Sequence, residues 1–265
     1  MGSTPGDNAV SLPGALARGP RGALAKRTLD LVTSFSGLLL LYPLLIVVCV
    51  LIWLQDWHSP FYVAPRVASG GGAFRMVKLR SMVVHADKAG VDSTAKDDRR
   101  ITGVGRFIRR FKLDEVSQLW NVLRGDMSLV GPRPQVERDA RLYTEVERGL
   151  LTVRPGITDF ASIVFADEGD ILAGSPDPDL KYHQVIRPWK SRLGLHYVLA
   201  NNVWLDLRLV LATAVNSIRR PAALRWVAAM LSETGADPRL AEIALRRAPL
   251  EAAPPPGAEA IIRSR

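Results

Sequence analysis

Two adjacent carboxylates, Asp114 and Glu115, follow a dense group of arginines: Arg99, Arg100, Arg106, Arg109 and Arg110. An acid pair beside cations marks either a solvated, charge-balanced surface or a site that handles phosphate together with a divalent metal. At consecutive helical positions two side chains point about 100° apart, so one can face a cation while the other faces an electrophile. Arg110 and Asp114 also have the i, i+4 spacing of an ordinary surface pair. Further on, Gly131-Pro132-Arg133-Pro134 makes a rigid turn that fixes another guanidinium, a group able to make two parallel contacts to a phosphate. Asp126 reads as a brace for its Gly-Asp-Met-Ser turn. Arg99 and Arg100 read either as nucleotide contacts or as a solvated loop.

These residues sit in a 265-residue chain with a formal charge of +9, from 35 Lys and Arg against 26 Asp and Glu. That balance suits nucleic acid, an anionic membrane face or phosphorylated substrates. The basic residues cluster around acids and lack interleaved exposed aromatics, which argues against a nucleic-acid groove. Gly103-Val104-Gly105 lacks the third glycine of a dinucleotide fingerprint, and no Gly-Lys-Ser/Thr loop supports a kinase. The only cysteine, Cys49, lies in an apolar run, so no disulfide forms within the chain. The four histidines, His58, His85, His183 and His196, have no ligand spacing.

From Leu31 to Leu54 the chain is almost wholly apolar and uncharged, longer than the ~18 residues that mark a membrane helix. It ends in Trp53-Leu54-Gln55-Asp56-Trp57, a pattern of interfacial anchors rather than of signal cleavage. Arg18, Arg21, Lys26 and Arg27 precede it, and Arg66, Arg75, Lys78 and Arg80 follow it. A simple span would strand one basic flank on the wrong side of the membrane. Pro43, near mid-segment, removes a backbone donor and favours a kink, so a helix that enters, bends and returns fits both flanks better than one that crosses.

The remaining pattern predicts an α+β, mainly helical protein. Residues 1–25 read as a disordered tail, 26–57 as the membrane segment, 58–220 as a catalytic domain, and 221–265 as an extension whose proline-rich end is disordered. Phe61-Tyr62-Val63 and 73–80 flank Ser69-Gly70-Gly71-Gly72, a β-hairpin signature. Residues 83–100 read as a loop. Helices are predicted at 103–112, 114–123, 135–150, 179–200 and 203–218. The last reads equally as a membrane-surface helix and as one packed on the core.

The run from Phe111 to Pro134, with its Lys-Leu-Asp-Glu and Gly-Pro-Arg-Pro motifs, resembles the signature of the bacterial sugar transferases, monotopic phosphoglycosyl transferases. The resemblance covers about Lys26 to Ile218 and is strongest at 74–82 and 99–158. It implies a re-entrant membrane helix, amphipathic interfacial helices and a small catalytic domain on the cytoplasmic face of the inner membrane. It also implies transfer of a sugar-1-phosphate from a UDP-sugar to polyprenyl (undecaprenyl) phosphate, releasing UMP. Such transfer is the first membrane step of exopolysaccharide, capsule, O-antigen or glycoconjugate synthesis. By the same resemblance, Asp114 is the nucleophile that forms an aspartyl phosphosugar, and Glu115 holds Mg²⁺. Lys78 lies beside the pair, and Arg109 and Arg133 contact phosphate. The family breaks its membrane helix at Ser-Pro where this chain has Tyr42-Pro43. After Thr158 it has Gly and a Gln-Val-Asn-Gly-Arg stretch where this chain reads Asp159-Phe160-Ala161-Ser162.

Two other readings use the same residues: a membrane-anchored, metal-dependent phosphohydrolase with water as acceptor, and a non-enzymatic basic scaffold. The sequence names no sugar and leaves homo-oligomer formation open.

Overall fold

The computed structural model describes residues 22–86 and 98–263. The stretch 1–21, most of the 83–100 loop and the last two residues lie outside the described residues. Helix α1 (Ala23–Asp56) starts three residues before the expected boundary at 26 and runs through Pro43 as one helical element. At about 1.5 Å per residue it is about 50 Å long. Its middle is bare hydrocarbon, with Leu39, Leu40, Tyr42 and Val47 all more than half exposed. Among the described residues it is the single helix long and apolar enough to cross a membrane.

Strands β1 (Phe61–Val67) and β2 (Ala73–Leu79) form the expected antiparallel hairpin, with Phe61 opposite Leu79 and Val67 opposite Ala73. Gly70 and Gly71 supply the positive φ angles that close it. Helix α2 (Gly103–Arg110) is capped by the Thr102 hydroxyl, which accepts from the Gly105 amide at 2.9 Å.

The helix expected at 114–123 is two short ones, α3 (Leu113–Val116) and α4 (Leu119–Arg124). Helix α4 ends at Gly125 in the left-handed conformation, and β3 (Ser128–Val130) follows. The helix expected at 135–150 is also shorter. It consists of α5 (Glu137–Arg141) and a 3₁₀ segment at Glu147–Thr152.

Strand β4 (Gly156–Thr158) pairs parallel to β3. Next come α6 (Phe160–Val164), α7 (Glu168–Leu172), α8 (Pro178–Lys181) and, after a π-helical turn at Tyr182–Ile186, α9 (Arg187–Ala200). Three longer or capped helices finish the fold: α10 (Val203–Ile218), α11 (Arg220–Glu233) and α12 (Pro238–Leu245).

The boundary expected at 220 does not divide the core. Val227, Met230 and Leu231 of α11 and Ala244 of α12 lie in the same buried cluster as Phe160, Leu193 and Leu209. The proline-rich end also departs from the disorder expected of it. Between 251 and 262 its backbone carbonyls accept from Trp189 Nε1 at 3.2 Å, Arg192 Nη1 at 2.9 Å, Thr144 Oγ1 at 2.5 Å and Gln184 Nε2 at 2.8 Å. Proline has no donor of its own, but its carbonyls remain strong acceptors, and Arg192 on α9 and Thr144 reach those of Pro254 and Pro256.

Helix α10 has two apolar faces. Leu205, Leu209 and Ala212 are buried in the core, while Trp204, Leu211 and Ile218 stay exposed.

Both ends of α1 are fastened to this domain. At its start, Lys26 Nζ donates to Asp206 Oδ2 at 2.6 Å, to the Tyr197 hydroxyl at 3.1 Å and to the Val130 carbonyl at 3.0 Å. The Arg27 guanidinium closes off α4 by donating to the carbonyls of Val122 (2.6 Å) and Leu123 (2.9 Å). Buried Asp30 accepts from Ser128 Oγ and the Leu129 amide. At its far end Val48 and Ile52 pack with Leu79 and Ile108, and Asp56 receives a bidentate pair from Arg80 at 2.5 and 2.6 Å.

Asp206 is 1% exposed and Lys26 15%, so removing one partner strands a charge. Lys26→Met is expected to destabilise the detergent-solubilised protein by about 3–5 kcal/mol in thermal or denaturant unfolding. Lys26→Met with Asp206→Leu is expected to recover most of that loss.

Candidate active site

The acidic pair lies on α3, a single turn whose preceding residue, Lys112, adopts a left-handed φ of 53°. A side chain there costs roughly 1 kcal/mol. The conformation swings α3 away from α2, so Asp114 and Glu115 turn back over β2 instead of continuing the α2 face. Ser117 and Asn121 fix the distance. The Ser117 hydroxyl donates to the Val77 carbonyl at 3.3 Å. Asn121 accepts from the Val77 amide at 2.9 Å and donates to the Arg75 carbonyl at 2.7 Å. With Val77 pinned and Leu79 buried in the core, Lys78 is aimed at the acid pair.

Arg133 arrives from the opposite side. Its turn is set where the chain leaving β3 meets β4 at two glycines: the Gly131 amide donates to the Thr158 carbonyl and the Gly156 amide to the Pro132 carbonyl, each at 2.9 Å. A Cβ on Gly156 would lie 2.1 Å from the Gly131 nitrogen, so no larger residue permits this approach. From here Arg133 Nη1 donates to Glu115 Oε1 at 2.8 Å. Arg109, on the last turn of α2, donates through Nε to Ser81 Oγ at 3.2 Å. Lys78, Arg109, Asp114, Glu115 and Arg133 are therefore gathered at one place. Pro43 belongs to the exposed middle of α1, elsewhere in the molecule.

The electrostatics separate the two carboxyls. Burial pushes Asp114 above the usual carboxylate range; Glu115 adds to the rise, while Lys78, Arg109 and Arg133 oppose it. Burial would raise Glu115 too, but Arg133, Lys78 and Lys112 outweigh it and hold Glu115 below its ordinary value. Lys78 is lowered to about 8, chiefly by burial and then by Arg133, against the pull of both acids. One carboxylate is thus held ionised by its cations, while at its neighbour burial outweighs them and makes it the better base.

In the sequence alone Ser81, Ser117 and Asn121 carry no role, and Asp98 reads only as part of a polar loop. Asp98 binds the Arg100 guanidinium at 2.6–3.1 Å and faces Arg109. The one signal for Asn121 was an amide inside the apolar run Leu119-Trp120-Asn121-Val122-Leu123.

Comparison with known proteins decides the family, because residues 21–220 match the bacterial sugar transferases. The chain belongs to that family. One relative, the "Putative undecaprenyl-phosphate N-acetylgalactosaminyl 1-phosphate transferase" of Bacillus subtilis, is 44% identical over 110 residues, 42% of this chain and 62% of that protein. An Aeromonas hydrophila "UDP-N-acetylgalactosamine-undecaprenyl-phosphate N-acetylgalactosaminephosphotransferase" is 32% identical over 207 residues, 76% of this chain and 45% of that protein. The "Exopolysaccharide production protein ExoY" of Rhizobium meliloti is 36% identical over 154 residues, 52% of this chain and 68% of that protein. The chain thus spans between about half and two thirds of the length of these relatives.

The site of this sugar transferase predicts one reactive amine. Acylation of Lys78, followed by peptide mass spectrometry, is expected to rise with pH through a midpoint near 8, where its desolvated ammonium loses its proton. Surface lysines are expected to rise near pH 10.4. Both acids raise the Lys78 pKa, so Asp114→Asn with Glu115→Gln should move its midpoint lower still.

Proposed function

We propose that this protein transfers a sugar-1-phosphate from a UDP-sugar to polyprenyl phosphate, releasing UMP, through a covalent intermediate on Asp114. The observation that carries the reading is the division of labour within the acid pair: Glu115 is held by Arg133 at 2.8 Å while burial raises its neighbour. An Asp114 oxygen attacks the β-phosphorus, and the bond from that phosphorus to the oxygen it shares with the α-phosphate breaks. UMP leaves with the electron pair. An oxygen of the lipid phosphate then attacks the same phosphorus and frees the Asp114 carboxylate. Lys78, Arg109 and Arg133 neutralise the diphosphate, so that one anion can approach another.

Among the described residues no group of three or more acidic, His or Cys side chains is placed to cage a metal. The donor set nevertheless fits Mg²⁺, a hard cation that needs only one or two carboxylates when substrate phosphates and water complete its shell. Glu115 is the residue that would hold it, and the ion would supply charge neutralisation at the diphosphate.

We further propose that α1 enters the inner membrane and returns, leaving the catalytic domain in the cytoplasm. Its ends are fastened to one domain through Lys26 and Asp56, whereas a crossing helix has its ends on opposite sides. Exposed Trp204 and Leu211 of α10, with Phe107 and Trp120, provide an apolar surface for the same leaflet.

Given a UDP-sugar without lipid acceptor, wild-type enzyme is expected to release about one UMP per active site and to gain a phosphosugar mass on the Asp114 peptide. Asp114→Asn should do neither while still folding in the membrane. An adduct on Asp114→Asn, or brisk turnover without any adduct, would instead favour direct attack by the lipid phosphate. EDTA or Glu115→Gln is expected to lower turnover at least 100-fold, and UMP release that ignores added polyprenyl phosphate would point to a phosphohydrolase.

Topology is tested separately. Single cysteines at positions 20 and 70, introduced with Cys49→Ala, are expected to react with an impermeant maleimide from the same side of the membrane. Reaction from opposite sides would mean that α1 crosses.

A further inference from the structure

On the face of Arg133 away from Glu115 lies an open cleft, lined among others by Gln135, Tyr143, Asp159, Tyr182 and Lys190. It is continuous with the acid-pair site through the Arg133 guanidinium. A group joined to a phosphate on that guanidinium therefore lies beside the cleft.

The lining mixes apolar surface with polar groups and is not a sink for charge. Lys190 is paired with Glu168, Arg133 with Glu115 at 2.8 Å, and Arg187 with Glu147 at 2.6 Å. Asp159, 2% exposed, spends Oδ1 on the Ser162 amide and hydroxyl, and burial raises it above its ordinary range. By contrast, the Gln135 side-chain amide and the hydroxyls of Tyr143 and Tyr182 have no hydrogen-bond partner among the described residues. Burial keeps both phenols neutral far into alkaline pH, so they remain donors.

Among the described residues the cleft offers no free stacking platform. The Tyr182 ring is covered by Lys190 at 5.4 Å and met edge-on by His183, and the Tyr143 ring is covered by Arg187 at 5.5 Å. A flat pyrimidine gains little in such a place. A polyhydroxylated ring, with donors and acceptors around its edge, matches the three vacant polar groups. Tyr182 opens the π-helical turn between α8 and α9.

We propose that this cleft reads the hydroxyl groups of an uncharged hexose or N-acetylhexosamine on the donor, with Gln135, Tyr143 and Tyr182 as its specificity-determining side chains. The assignment rests on the UDP-sugar reading above. It excludes a uronate, because among the described residues no unpaired cation faces the cleft.

Binding separates the pocket from the chemistry. Asp114→Asn protein in nanodiscs, which holds donor without consuming it, is titrated calorimetrically with UMP, UDP, UDP-glucose, UDP-galactose, their N-acetylhexosamine counterparts and UDP-glucuronate. At least one uncharged UDP-sugar is expected to bind about 10-fold tighter than UDP, and UDP-glucuronate no tighter. Gln135→Ala, Tyr143→Phe and Tyr182→Phe should each reduce that margin about 3- to 10-fold, the worth of one hydrogen bond, with UMP affinity steady. Parallel loss of UMP affinity would place the nucleoside in the cleft and overturn the assignment. So would margins indifferent to all three substitutions, no margin at all, or tight binding of UDP-glucuronate. If the margins appear but otherwise wild-type enzyme with polyprenyl phosphate releases no UMP, the transfer reading fails and the pocket stands.

Discussion

The ammonium of Lys26 is the point on which the architecture turns. It ties the first turn of an apolar helix to the Asp206 carboxylate, the Tyr197 hydroxyl and the Val130 carbonyl at 2.6–3.1 Å. Val130 is the last residue of β3, and the next three residues are Gly131, Pro132 and Arg133. A charge buried with one good partner and two further acceptors tolerates little displacement, because any lost contact leaves a polar group unsatisfied in a low-dielectric interior. The start of the membrane helix, the helix carrying Asp206 and the turn carrying Arg133 are therefore held in register by one side chain. Asp30, one turn later on α1, repeats the arrangement on Ser128 and Leu129.

The site obeys a similar economy. None of its five charged residues comes from a long regular element interior: Lys78 is near the end of β2, Arg109 in the last turn of α2, the acids on a one-turn helix, and Arg133 in a proline turn. Short elements alone would leave such groups loosely placed. Rigidity comes instead from side-chain to backbone bonds, with Asn121 and Ser117 gripping β2, and from the close approach of Gly131 and Gly156 beside the β3–β4 pair. Stacking so many cations around two acids costs solvation, and the lowered Lys78 and raised Asp114 express that cost.

Much of this was legible in the sequence. The apolar run, the glycine-centred hairpin and the ordered motif from Phe111 to Pro134 are local patterns, and local patterns survive translation into structure. What was not legible depended on distance. The break between α2 and α3 follows from Lys112, and the one between α3 and α4 accompanies the reach of Ser117 and Asn121 to β2, which no periodicity announces. Residues 251–262 have the composition of a disordered end, yet Trp189, Arg192, Thr144 and Gln184 supply donors to their carbonyls. Composition counts what a segment lacks; it does not see what another segment offers. The partners of Lys26 lie 104 to 180 residues away in sequence, beyond any motif.

The double fastening of α1 also has a mechanical meaning. A catalytic domain hung from one flexible linker samples a volume, and its distance from the membrane surface fluctuates with every loop motion. A domain clamped to its anchor through Lys26 at one end and Arg80–Asp56 at the other has no slack. On the membrane reading, its active site rides at a fixed height, like a plane iron set in its sole. Encounters with a membrane-borne acceptor are then a search in two dimensions, and the frequency of productive meetings is set by sideways drift in the bilayer rather than by the swing of a tether.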